Sequence, residues 1–204
     1  MKLLILDAGH CLSLALAREA SRRSDTELVI EQATQLSAKR LRAVAPDAVL
    51  IPPLAHPLNM APADVTAHAD AVEKCLEACQ SEDVALVWCV SDQLYEDGFD
   101  VPIDEHVVPA PRDESLRRLV QTGNRIRADY DRHLIVRLGP LFALEGSHAW
   151  LNELLDSLVM GENVRAAEDV IFCPTSADAV ALALIGMLQQ QSCGADAWGA
   201  YYLA

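Results

Sequence analysis

"LLILDAGHCLSLALAREA", residues 3–20, decides the fold. Residues 2–7 are a short apolar run stopped by a turn, the pattern of a strand buried on both faces. From Cys11, apolar positions at Leu12, Leu14, Ala15 and Leu16 lead to a basic end at Arg22 and Arg23. Cations suit the negative C-terminal end of a helix, so residues 11–23 read as one. Strand, tight turn and helix open a doubly wound α/β sheet, in which glycines let a pyrophosphate approach the helix N-terminus. Here the turn offers Asp7, Ala8, Gly9, His10 and Ser13, with one glycine among them, and the next glycine in the chain is Gly98.

The alternation continues outward from that stretch. Strands are expected at 27–31, within "PDAVLIPP" (46–53), at 84–91, at 133–139 and in the closing "AYYLA". Helices are expected at 37–45, 63–80, 113–131, 148–160 and 175–191, the last capped by Thr175 or Ser176. This order predicts one α/β domain over residues 1–204, a parallel doubly wound sheet of the Rossmann-like kind with helices on both faces. Ligands on such sheets bind beyond the carboxyl ends of the strands, at the switch point beside the first strand. Asp7–Ser13, Pro52–His56 and Ser91–Tyr95 are therefore expected to line one crevice, with His56, Ser91, Asp92 and Tyr95 as candidate lining residues.

Bulk properties exclude several classes. The 204 residues are 51% hydrophobic, as in a globular chain, and carry a net charge of −14. That balance argues against nucleic acid and anionic membrane surfaces, which need clustered Lys and Arg. No apolar run approaches the ~20 residues of a membrane span. The N-terminus runs directly into a strand, so a cytoplasmic location is expected. The six cysteines have no zinc spacing, and no metal site is expected.

The order of segments resembles the extended short-chain dehydrogenase/reductases, and within them the dTDP-4-dehydrorhamnose reductase branch. The resemblance rests on "APDAVLIPPLAH" (45–56), "CVSDQLY" (89–95), "PIDE" (102–105), "LIVRLGPLF" (134–142) and "CPTSADAVALAL" (173–184). It implies an NAD(P)-binding Rossmann fold acting on a sugar nucleotide, and three features of that family bear on the chain. The glycine turn, G-x-x-G-x-x-G, falls on Asp7, His10 and Ser13, so all three glycines are replaced. A carboxylate about 4 Å from a phosphate charge repels it by roughly 4 kcal/mol at an effective dielectric near 20. Asp7 is instead expected to cap the following helix, and Gly9 to preserve the bend. The Tyr-x-x-x-Lys pair of the family is absent. Residues 106–128 contain neither residue, and the lysines of the chain are Lys2, Lys39 and Lys74, none four after a tyrosine. Of the substrate-orienting residues only Ser91 matches; the family's nearby tyrosine becomes Gln93, and its asparagine His68. The family also continues past the last strand into segments that complete its sugar-nucleotide pocket.

Other constellations are weaker. His10, His56, Ser91, Asp92 and Tyr95 suggest a hydrolytic group, but no G-x-S-x-G elbow surrounds Ser91. Glu31 ends the second strand where a ribose-binding acid sits in dinucleotide folds, or simply where a strand meets solvent. The segment 148–161, with Trp150, Leu151, Leu154, Leu155, Leu158, Val159 and Met160, is apolar enough to self-associate or to pack under the last helix. The chain is thus expected to be a degenerate, non-catalytic relative of the reductases, a pseudoenzyme with a binding or regulatory role. It would need no cofactor, with NAD(P) the candidate if one binds. It would act through a protein partner, a homodimer or a residual sugar-nucleotide cleft. The alternative is an active NAD(P)-dependent sugar-nucleotide reductase or epimerase with a divergent site.

Overall fold

The computed structural model describes residues 1–33, 36–54, 60–95, 105–147, 150–165 and 173–203, and within these the side chains of all but Trp150 and Glu153. His56 and most of the "PIDE" loop, both singled out above, lie outside the described residues.

Six strands form one parallel sheet in the order β2-β1-β3-β4-β5-β8: β1 (Lys2–Leu6), β2 (Glu27–Glu31), β3 (Ala48–Ile51), β4 (Ala85–Ser91), β5 (His133–Leu138) and β8 (Gly199–Leu203). The strand order reverses between β1 and β3, which places the switch point where the opening stretch predicts it. Strands β3, β4 and β5 are buried at every residue, as their predominantly apolar runs require, Arg137 of β5 included.

Helices cover both faces. Leu3, Ile5, Leu50, Val87 and Val136 face α1 (Cys11–Ser21) and α6 (Ala177–Ser192). The alternate residues Leu4, Val49, Leu86, Trp88 and Ile135 face α2 (Ala38–Val44), α3 (Pro62–Glu82) and α4 (Glu114–Asp129). Local chemistry sets the helix ends. Asp113 Oδ1 accepts from the Ser115 and Leu116 amides to start α4. Ser176, rather than Thr175, caps α6 through the Ala179 amide. Pro62 opens α3, and Asp83, at φ 53°, closes it.

The observed elements fall within three residues of the expected bounds, except where a pairing is too short to leave a pattern. Leu141–Phe142 (β6) and Thr175–Ser176 (β7) form a two-stranded parallel ribbon beside α5 (Trp150–Val159). Gly139 makes that ribbon feasible, because a Cβ there would lie 2.1 Å from the Cys173 carbonyl oxygen.

Candidate functional site

The site is built on the turn from β1 into α1. Asp7 takes the left-handed conformation, φ 70°, and its amide donates to Glu31 O at 3.1 Å. Aspartate tolerates this positive φ better than most residues do. Its Oδ1 accepts from the Gly9 amide at 3.1 Å. Asp7 does not cap α1. His10 does: its Nδ1 accepts from the Leu12 amide at 3.0 Å. With Nδ1 accepting, the hydrogen-bond network assigns the ring proton to Nε2, which donates to Pro53 O at 3.1 Å. The imidazole is 1% exposed and ties the start of α1 to the end of β3.

A second segment seals the same turn from 138 residues away. The Cys11 amide donates to Ser147 O at 3.0 Å, and Ser147 N–H donates to Gly9 O at 2.9 Å. Ser147 Oγ–H adds a further bond to Gly9 O at 3.0 Å. Gly146, at φ +97°, lies so near that a Cβ on it would stand 2.6 Å from Cys11 Cα. The helix N-terminus is where a pyrophosphate would be received. Its amides at Cys11 and Leu12 already donate to Ser147 O and His10 Nδ1, and the 146–147 backbone lies against Cys11. The residues at this turn therefore do not fit a dinucleotide pyrophosphate. No feature of the opening stretch announced this; the one sequence signal was a glycine in "LEGS" (144–147).

The other candidates fall into separate groups. His10 and Ser91 meet around a cavity of about 10 Å³, also lined by Pro53, Leu138 and Gly139. That volume is near the lower limit for one water molecule. Ser91 Oγ accepts from the Gln93 amide at 3.3 Å and so begins the 3-10 turn Asp92–Tyr95. Asp92 stays with Ser91, whose hydroxyl hydrogen-bonds its carboxylate, while Tyr95 points elsewhere. Tyr95 donates to Val107 O at 2.9 Å, under the guanidinium of Arg137. Burial pushes the Asp92 carboxyl up to about 6, against a smaller downward pull from the Ser91 hydroxyl. Burial, then the nearby Asp92 charge, pushes the Tyr202 phenol up as well.

Among the described residues no hydrolytic group assembles, since both ring nitrogens of His10 are engaged by the backbone. Cys11 beside it is no thiolate nucleophile, because burial holds its thiol up at about 11. Ser13 is fully buried and its Oγ has no partner among the described residues. Glu31 corrects the solvent-facing reading of its strand end. It is 7% exposed and paired to Arg40, whose Nε donates to Oε1 at 2.5 Å. His68 is held neutral by burial, its pKa pushed down to about 4. Among the described residues no cluster of His, Cys, Asp or Glu could hold a metal ion, and no helix is long and apolar enough to cross a membrane.

Comparison with known proteins gives this arrangement its family. Solved structures of similar fold include a dTDP-4-dehydrorhamnose reductase from Clostridium acetobutylicum, with a TM-score of 0.81 at 16% identity over 100% of this chain and 74% of that one. The dTDP-4-dehydrorhamnose reductase of Bacillus anthracis, solved in complex with NADP, gives 0.80 at 14% identity over 100% and 74%. The ADP-L-glycero-D-manno-heptose-6-epimerase of Helicobacter pylori gives 0.77 at 12% over 100% and 76%. None of the curated proteins matches the chain. The model of the RmlD substrate binding domain matches residues 59–204. With that match over most of its length, and with the parallel sheet and the order of segments described above, the chain belongs to the RmlD substrate binding domain family.

Proposed function

We propose that this chain is a non-catalytic member of its family that serves by binding, to a second copy of itself or to another protein, rather than by hydride transfer. The observation that carries the reading is the self-sealed N-terminus of α1, where His10 and Ser147 take the amides that would hold a pyrophosphate. The missing Tyr-x-x-x-Lys pair supports it, because without it no phenol is set up to exchange a proton with a substrate carbonyl. The test is thermal unfolding with and without millimolar NADPH or NADH. A ligand at a hundred times its Kd stabilises a fold by roughly 2.7 kcal/mol. No shift is expected, and a rise of several degrees would sink the proposal.

The rival reading, an active NAD(P)-dependent sugar-nucleotide reductase or epimerase, draws on Ser91 at the family position and on a similar fold solved with NADP. It predicts both the thermal shift and turnover of a dTDP-4-keto sugar.

A further inference from the structure

Arg137 is the most buried charged side chain among the described residues, 3% exposed. It sits on β5 between Val90 of β4 and Tyr202 of β8, on the face covered by α4. A guanidinium brings five N–H donors, and a buried one needs acceptors or a counter-charge. Among the described residues Arg137 has little of either. Its Nη1 donates to Glu105 O at 3.4 Å and to Val107 O at 3.5 Å, the outer limit of a hydrogen bond. Its Cζ lies 5.6 Å from the centroid of the Tyr95 ring. Among the described residues no carboxylate pairs with it.

The same side chain lines a cavity of about 20 Å³ between α4 and the sheet, with Trp88, Leu119, Gly123, Arg127 and Ile135. Gly123 lets the helix come down on the indole, since a Cβ there would stand 3.3 Å from Trp88 Cζ3. The Trp88 Nε1–H also lacks an acceptor among the described residues. Arg127 stands at the exposed edge, its Nη2 donating to Asn124 Oδ1 at 2.6 Å. Burial, and then the positive charge of Arg137, pushes its pKa down. Two cations thus share one small cavity in a chain of net charge −14, and among the described residues the inner one is short of acceptors.

We propose that this cavity is a binding site for a small monovalent anion, held by Arg137 from within and Arg127 at the mouth. The size admits a single ion or one end of a carboxylate, such as a halide or a short organic acid. The site lies apart from the sealed turn at α1, and it stands whether or not a cofactor binds there.

Trp88 supplies the readout. In the full chain carrying Trp150→Phe and Trp198→Phe, iodide is titrated at constant ionic strength against sulfate, a divalent anion too large for the cavity, and Trp88 fluorescence is followed. Trp88 is 1% exposed, so collisional quenching from solvent is weak, and neutral acrylamide serves as the control. Saturable quenching by iodide is expected. Arg127→Gln, an edge substitution that leaves the core intact, should weaken it by about tenfold, the worth of one charge-assisted hydrogen bond. Arg137→Met should abolish it. Displacement of iodide by formate would identify the ligand as a carboxylate, and saturation without displacement would identify a monatomic anion; either supports the site. Quenching that rises linearly with iodide, or an affinity unchanged in Arg127→Gln, overturns it.

Discussion

Asp7 combines a left-handed backbone with a side chain that bonds its own turn. The left-handed conformation there costs an ordinary L-residue roughly 1–2 kcal/mol, and the Gly9 amide on Oδ1 offsets part of it. Asp7→Ala loses the bond and keeps the strain, so it should destabilise by about 1–2 kcal/mol in urea unfolding. Asp7→Gly relieves the strain as it loses the bond, and should stay within about 0.5 kcal/mol of the parent. Equal losses in the two variants would show that the carboxylate, not the φ angle, matters. Asp92 gives a second residue-scale test. Its folded pKa, about 6, lies above the unfolded value near 3.8. The stability that goes with its neutral form is complete below about pH 3.8 and is lost as pH rises through 6. Asp92→Asn should therefore match the parent near pH 3.5 and exceed it by about 1–3 kcal/mol at pH 7.5. A gain independent of pH would assign the effect to packing.

At the scale of elements, what could be read in the sequence follows from how far apart the interacting residues lie. The strands were legible because β3, β4 and β5 are buried on both faces and so are apolar but for Ser91, His133 and Arg137. The missing glycines and the missing Tyr-x-x-x-Lys pair were legible because each is a local pattern. The seal on α1 was not, because Gly146 and Ser147 meet Gly9 and Cys11 across most of the chain. Nor was the capping residue: aspartate outranks histidine as a helix cap in general, but Asp7 stands too early in the turn to reach the first helical amides. Glu31 misled for a related reason, since its partner Arg40 comes from the next helix. The seal itself can be opened. Gly146→Ala places a methyl against Cys11 Cα in a backbone region that L-residues avoid. It should cost about 1–3 kcal/mol and speed hydrogen exchange at the Cys11 amide, seen by NMR. Unchanged exchange at Cys11 would mean that the 146–147 segment does not close the turn. By the same argument, glycines at positions 7, 10 and 13 alone should not restore dinucleotide binding while Ser147 still holds that amide.

For the whole molecule, the proposed binding role turns on which surface would meet a partner. Two helical faces can be compared, and their chemistry separates them. On α3 and α4, Arg118 pairs with Asp70 and Glu73, and Arg125 with Glu73 and Glu77. The Arg118 guanidinium is the largest influence holding the Glu73 carboxyl down at about 2. A surface so thoroughly paired within one chain would have to desolvate its charges to join another. The α5 face is the reverse. Leu155, Leu158 and Val159, spaced i, i+3 and i+4, are 48%, 55% and 86% exposed, and Met160 follows at 75%. Leu144 and Val164 are exposed as well. One ten-residue helix is only about 15 Å long, so its stripe alone falls short of the ~1,200 Å² of a stable interface. A twofold pairing that adds Leu144 and Val164 would come closer, and it would be weak and concentration-dependent. The expected result is a monomer–dimer equilibrium in sedimentation velocity, shifting toward dimer as concentration rises. Leu155→Glu with Leu158→Glu should leave the protein monomeric with its melting temperature within a few degrees of the parent, because both side chains already face solvent. A parent that stays monomeric at every concentration would remove the homodimer, and a double variant that still dimerises would move the interface off α5.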